Sequence, residues 1–358
     1  MIIDIVKILF ASVTTFIIGI TITPVITDFL YKHKLWKKKN VQAAVDGGTA
    51  TISQKLHDDE NKKTPRMGGI VMWASVAGTA LIIWIISHIA DTSVAVKLDF
   101  ISRNQTWIPL VSLIFGSLFG LIDDYLETRP SGGDHVAGGL SLTKRLLAVI
   151  GISLLVALWF YIKLEVDGIG LPFGKELVIG PLFIPLFIIV AVAIYSGGVI
   201  DGLDGLSGGI FAAIFTSYAG IAFYQNQIDL AAFCAAVLGG ILAFLWFNIP
   251  PARFYLSETG IMGLTITLTV VAFMTDSLGG GYGLIVLPVI AFPLIMASGS
   301  SLIQVLSKKF RNGKKVFLVA PIHHHYQAKG WPATKVVMRF WIVGVICALL
   351  GLILALLG

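Results

Sequence analysis

The sequence predicts an all-α polytopic membrane protein of about ten transmembrane helices. Both termini are expected outside, with the polar motifs, and with them any active site, on the cytoplasmic face. Three observations predict this. Hydrophobic residues make up 56% of the 358 and charged residues only 13%, about half the share of a soluble domain, and mean hydropathy is +0.87. Apolar runs long enough to span a bilayer recur along the whole chain. The 26 Lys and Arg residues also collect in alternate loops: all except Lys7, Lys97, Arg103, Lys163 and Lys175 fall on one side. That bias accounts for the net charge of +6 without nucleic acid.

The spans are expected near 6–30, 68–90, 105–122, 144–163, 178–197, 208–225, 229–247, 260–275, 284–304 and 336–357. The first apolar stretch is too long and continuous for a cleavable signal peptide, so it reads as a span. Three longer polar gaps lie near 31–66, 123–143 and 305–335. They leave no room for a soluble domain, so 1–358 is expected to be one integral membrane domain. Gly279-Gly-Gly-Tyr-Gly283 reads as a tight turn between spans. Cys234 and Cys347 sit inside apolar runs and read as small buried hydrophobes, neither a disulfide nor a metal site.

The most informative motif is Gly120-Leu-Ile-Asp-Asp-Tyr-Leu-Glu127, at the end of the apolar run Trp107 to Ile122. A carboxylate at the centre of a span costs roughly 2.5–3.5 kcal/mol, so Asp123 and Asp124 belong at a water boundary or in a polar cavity. Adjacent helical residues point about 100° apart, so the two carboxylates suit two separate tasks better than one bidentate clamp.

Each remaining inner loop adds polar residues. The first ends in Lys62-Lys-Thr-Pro-Arg-Met-Gly-Gly69, where Lys62, Lys63 and Arg66 put positive charge beside glycines that let backbone approach a phosphate. The third holds Asp201 and Asp204 among glycines. Their i, i+3 spacing would put both on one helix face. In the fourth, Glu258 opens a span and is a candidate metal ligand, at a helix start that favours acids in any case. The fifth carries His323, His324 and His325 in a row. Without cysteines nearby, imidazoles and neighbouring lysines suit phosphate oxygens, while the acids suit a hard cation such as Mg²⁺. Together these are the parts phosphoryl transfer requires: charge neutralisation and in-line positioning.

At this point the residues match a family. The chain resembles the phospho-N-acetylmuramoyl-pentapeptide transferase (translocase I) family, within the polyprenyl-phosphate N-acetylhexosamine-1-phosphate transferases. The resemblance runs from Thr64-Pro-Arg-Met-Gly-Gly69 to the last span. It is sharpest at Leu121-Ile-Asp-Asp-Tyr-Leu126, Ile200-Asp-Gly-Leu-Asp-Gly-Leu206, Pro321-Ile-His-His-His-Tyr326, Lys329-Gly-Trp-Pro332 and Arg339-Phe-Trp341. Gly139, Leu140, Ser141 and Lys144 fit the family's second inner loop. The resemblance implies ten spans, a cytoplasmic site and Mg²⁺. It implies transfer of phospho-MurNAc-pentapeptide from its UDP carrier to undecaprenyl phosphate, giving lipid I and UMP in peptidoglycan synthesis. The expected partners are UDP-MurNAc-pentapeptide, undecaprenyl phosphate and the bilayer of the bacterial inner membrane, with a second copy of the chain as a candidate. The residues it marks are Asp123, Asp124 and His323 as catalytic, and Glu258 with Asp123 at the metal. Lys62, Lys63, Lys144, Asp201, Asp204, Asn248, His324 and His325 are marked toward the nucleotide and phosphates.

The chain departs from the family's pattern at several of these places. Met-Gly-Asp-Thr-Gly-Ser is Leu256-Ser-Glu-Thr-Gly-Ile261 here. An expected asparagine is Gly198, an expected lysine is Glu127, an expected threonine is Arg66 and an expected glutamate is Gln327. These leave a second enzyme reading, the same chemistry on another UDP-sugar such as UDP-N-acetylglucosamine. A reading from another class is a secondary transporter, which should carry its acids near the midplane, often within repeats. Here the acids crowd one face and no repeat is visible.

Overall fold

The computed structural model describes residues 1–36, 63–90, 92–102, 105–129, 139–171, 175–278 and 280–357. Lys62 and most of the first inner loop, with residues 130–138 of the second, lie outside the described residues.

The described chain is almost entirely helical, in the order α1 (Ile2–Lys32), α2 (Gly69–Ala90), α3 (Trp107–Thr128), α4 (Leu142–Lys163), a small hairpin of β1 (Gly168–Leu171) and β2 (Lys175–Val178), α5 (Phe183–Ser196), α6 (Leu206–Tyr224), α7 (Ile228–Asn248), α8 (Ser257–Ser277), α9 (Phe292–Phe310), α10 (Ile322–Ala328) and α11 (Ala333–Leu357). Short helical turns at Ser93–Leu98, Gly180–Leu182, Gly197–Ile200 and Leu287–Ile290 fill some of the connections. Among the described residues nine helices are long and apolar enough to cross a membrane, so this is a multi-pass membrane protein. The bilayer leaves no water for backbone groups, and helices satisfy them internally.

The segment expected to span at 284–304 is divided. A single turn, Leu287–Ile290, stops before Ala291, and α9 begins with Pro293 in its first turn, where the missing N–H costs nothing. The second half of α9 carries Gln304, Lys308 and Lys309, which keeps it out of the nine. The helix bearing the aspartate pair also differs from expectation: α3 continues past Ile122 and through both acids to Thr128.

The most enclosed span is α8, whose apolar window is 94% buried. It packs along α3 through glycines. A Cβ on Gly120 would lie 2.1 Å from the Glu258 carbonyl oxygen, and one on Gly263 would lie 2.1 Å from Ser117 Oγ. Small residues let membrane helices approach at backbone distance, and here the approach brings the start of α8 against the acidic turn of α3. Thr265, Thr269 and Thr275 return their buried hydroxyls to carbonyls of α8 itself. At the other end of α8, Asp276 accepts from Gly170 N at 2.7 Å and Leu284 N at 3.1 Å, fastening the hairpin and the following turn. That turn is tight as expected, with Gly280, Gly281 and Tyr282 all at positive φ. Cys234 is buried in α7 and Cys347 half-buried in α11, both as free thiols.

Candidate active site

Six ionisable side chains meet where α3, α4 and α8 converge. Asp123 and Asp124 come from α3 with Glu127 one turn on, Arg145 from the first turn of α4, Glu258 from the first turn of α8, and Arg66 from the loop before α2. As adjacent residues on one helix must, the two aspartates face different partners. Asp123 Oδ1 accepts from Leu140 N at 2.6 Å, and its Oδ2 lies 3.0 Å from Arg145 Nε. Asp124 Oδ2 accepts from both the backbone N and the hydroxyl of Thr259, at 2.8 and 2.6 Å, and its Oδ1 lies 3.3 Å from Arg66 Nε. Both aspartates are fully buried. A buried charge requires this kind of pairing and hydrogen bonding.

Arg145 is the hub of one half. Its Nη1 donates to Glu258 Oε1 at 2.8 Å while its Nε faces Asp123, and Glu258 Oε2 accepts from the Tyr195 hydroxyl at 3.1 Å. Arg66 is the hub of the other half, with Nη2 3.1 Å from Glu127 Oε2. Burial by itself would lower the Arg66 pKa, but the adjoining Glu127 and Asp124 carboxylates outweigh it and hold the guanidinium above its ordinary value. The Arg66 loop is fixed to its surroundings by backbone: Arg66 N donates to Leu35 O at 2.9 Å, Gly68 N to Tyr255 O at 2.8 Å and Tyr255 N to Pro65 O at 3.0 Å.

Asp201 and Asp204 do not share a helix face. The short turn Gly197–Ile200 ends at Asp201, and Gly205 takes a left-handed φ of 78° that a helix cannot hold. Asp201 accepts from Ser207 Oγ at 2.6 Å and from Ser257 N at 2.9 Å, whereas Asp204 accepts from Ala252 N at 2.9 Å. Burial raises the Asp201 pKa, and the bonds from Ser207 and Ser257 oppose it. Asn248 uses its amide on the same framework, accepting from Gly205 N and donating to Phe254 O, both at 2.8 Å. These three residues therefore hold the 201–205 turn and the 249–257 loop in register.

The histidines open α10. His323 is fully buried, and His323 and His324 both direct Nε2 at Gly202, where an added Cβ would stand 2.6 and 2.7 Å from them. His324 Nδ1 lies 2.7 Å from Gln327 Oε1. His325 turns away, its Nδ1 accepting from Leu318 N at 3.1 Å; burial, then Lys329, lowers its pKa. Through Gly202, Asp201 and Ser257 the histidines are contiguous with Glu258. Lys63 and Lys144 are exposed, three residues before Arg66 and next to Arg145 in the chain.

Arg145, Thr259 and Tyr195 are site residues that the motifs alone did not mark, and the only signal available was that Thr259 adjoins a motif glycine. Arg66, expected as loop charge for a phosphate beside Gly68 and Gly69, pairs here with the Asp124 and Glu127 carboxylates. The departures from the family pattern are explained in part by one another. Arg66 pairs with Glu127. A Cβ on Gly198 would lie 2.3 Å from Ile261 Cγ2, so the isoleucine occupies the room an asparagine at 198 would need. Ser257, in place of the family's glycine, stands at φ 57°, in the left-handed region that favours glycine.

The model of glycosyl transferase family 4 matches residues 106–276, which carry the aspartates, Arg145, Tyr195, the 201–205 turn and Glu258. The chain is 31% identical over 351 residues to the phospho-N-acetylmuramoyl-pentapeptide-transferase of Listeria monocytogenes serotype 4b, covering 96% of this chain and 98% of that one. It is 33% identical over 333 residues to the protein of the same name from Francisella philomiragia, covering 84% of each. A third of that name, from Thermodesulfovibrio yellowstonii, is 31% identical over 328 residues, covering 85% of this chain and 84% of the relative. With about a third of its residues shared from end to end, and the shared stretch enclosing the acidic cluster, the chain belongs to the phospho-N-acetylmuramoyl-pentapeptide-transferase family.

Proposed function

We propose that the chain transfers phospho-MurNAc-pentapeptide from UDP-MurNAc-pentapeptide to undecaprenyl phosphate, giving lipid I and UMP, in the bacterial cytoplasmic membrane with its site on the cytoplasmic side. The observation that carries this reading is the convergence of Asp123, Asp124 and Glu258, from two spans, on two arginines in one cluster. An oxygen of the lipid phosphate attacks the phosphorus that carries the sugar. The bond from that phosphorus to the UMP oxygen breaks, and UMP leaves with the electron pair. The lipid phosphate is largely ionised at neutral pH, so the protein's main task is to place and neutralise charge.

The donor set fits a hard divalent cation. Asp123 and Glu258 offer carboxylate oxygens, and buried Asp123 Oδ2 is ion-paired with Arg145 Nε at 3.0 Å without hydrogen-bond geometry. No group of three or more His, Cys, Asp or Glu among the described residues is placed to hold a metal. Mg²⁺ commonly uses one or two carboxylates and completes its shell with substrate phosphates and water. Asp123 and Glu258 would hold it. Bound there, it would neutralise charge on the diphosphate and orient it. Arg145 keeps the two carboxylates oriented, and Asp124, locked by Thr259 and Arg66, fixes the acidic turn of α3 against α8. His323 and His324 line the adjacent turn for the substrate phosphates, with Lys63 and Lys144 at the rim.

The test is UMP release by the purified chain with undecaprenyl phosphate and a panel of UDP-sugars. UMP should appear with UDP-MurNAc-pentapeptide, vanish in chelator and return with Mg²⁺ or Mn²⁺. Release from UDP-N-acetylglucosamine instead moves the reading to the sibling chemistry, and no release from any sugar overturns it.

A further inference from the structure

Asp124 and Glu127 stand one turn apart on the same face of α3, 0% and 7% exposed. Two buried like charges at i, i+3 repel, and α3 carries no basic residue in its last turn to balance them. The balancing cation comes from another element, the loop before α2. The Arg66 guanidinium reaches both acids, with Nε 3.3 Å from Asp124 Oδ1 and Nη2 3.1 Å from Glu127 Oε2. Its loop is held by hydrogen bonds to Leu35 and to Tyr255, the latter three residues before Glu258. Both residues of this pair are departures from the pattern the resemblance implies, threonine at 66 and lysine at 127. In this chain the acid stands at 127 and the cation that faces it comes from the loop.

We propose that Arg66 is a positioning residue for the transfer reaction, neutralising and aiming Asp124 while Glu127 anchors it, so that positions 66 and 127 work as one exchangeable pair. The inference rests on the function proposed above. A lysine at 127 would sit one helical turn from Asp124 and could neutralise it from within α3. A threonine at 66 then leaves no acid uncompensated. Threonine at 66 alone takes the guanidinium away from both buried carboxylates, and lysine at 127 alone sets two cations against each other.

The experiment compares R66T, R66K, E127K and R66T/E127K with the parent, as full-length purified protein. It measures kcat and KM for UMP release, and the apparent melting temperature. R66T should lower kcat by about tenfold or more with KM changed less than about threefold, because a shift of the acidic turn of α3 displaces the adjacent Asp123 at the reacting centre and falls on the rate. R66K should recover part of kcat. The double variant should turn over at least about fivefold faster than R66T, a non-additivity expected of contacting residues. R66T at parental kcat, or a double variant no faster than R66T, overturns the proposal. If R66T does not fold, kcat of R66K and of the double variant decides: both within about tenfold of the parent supports the pair, and a double variant that is inactive or unfolded overturns it. A parent that releases no UMP overturns the functional reading instead. In that case recovery of the melting temperature in the double variant supports the charge pair, and its absence refutes it.

Discussion

Shortening Glu258 by one methylene tests whether the start of α8 is as firmly held as its contacts indicate. The backbone there is fixed from three directions: Ser257 N donates to Asp201, Thr259 N donates to Asp124, and the Glu258 carbonyl lies directly over Gly120. It cannot follow a shorter side chain inward. In Glu258→Asp the carboxylate withdraws by one carbon–carbon bond, about 1.5 Å. The 2.8 Å contact with Arg145 Nη1 then opens to about 4.3 Å, beyond hydrogen-bond range. The loss is one charge-assisted hydrogen bond, about 1.5–3 kcal/mol. Misplacement of this size at a reacting centre costs about 10² in rate. Glu258→Gln keeps the reach: its amide oxygen can accept from Arg145 and its amide N–H₂ can donate to the Tyr195 hydroxyl. It removes the charge, and should lower kcat by about 10²–10³ with little change in melting temperature. The assay is UMP release across a Mg²⁺ titration, beside thermal melting of each variant. Glu258→Asp at or above the parental rate would refute the fixed backbone. Glu258→Gln with parental rate and parental Mg²⁺ dependence would show that the carboxylate charge is not used.

Other substitutions probe both rate and stability. Asp123→Asn can still accept from Leu140 N but sets an amide donor against Arg145; turnover should fall by at least about 10², and the melting temperature should fall because the buried guanidinium loses one of its two carboxylates. Asp124→Asn cannot serve Thr259 and Arg66 together, so both turnover and melting temperature should fall; parental melting would contradict the locking role given to Asp124. Ser257→Gly should stabilise the protein: it removes a side chain at φ 57° and a buried hydroxyl with no hydrogen-bond partner among the described residues. The relieved strain of about 1–3 kcal/mol exceeds the glycine entropy cost of about 0.5–1 kcal/mol, and a lower melting temperature would count against it. Gly198→Asn should destabilise by clashing with Ile261, and adding Ile261→Ser should recover the loss; failure of the second change to help would mean that the two positions are not coupled.

Much of the membrane fold was legible in the residues because lipid imposes a crude rule: a span must be apolar for about 20 residues and must satisfy its own backbone. The helices at 2–32, 69–90, 142–163 and 333–357 follow directly from that. The rule says little where polarity is intermediate. For that reason 284–304 read as a continuous span although Pro293 restarts the helix there. It also ended the third span at Ile122, because two acids looked like a boundary, whereas the partners that shelter them come from other elements.

The order of residues alone places acids, histidines and basic side chains in the polar loops of a multi-pass protein. It also determined that neighbouring Asp123 and Asp124 would face apart, since 3.6 residues per turn permits nothing else. Only the tertiary structure decided what each one faces. The crossing of α3 and α8 at Gly120 and Gly263 sets Asp124 against Thr259. The entry of α4 places Arg145 between Asp123 and Glu258. The turn at Gly205 sends Asp201 and Asp204 to separate backbone amides, where their spacing had suggested a shared face. The physical reason is that spacing within one element fixes direction, while the partner of a buried charge is set by whichever other element comes within hydrogen-bond distance, and at this site close approach between helices at small residues sets that distance.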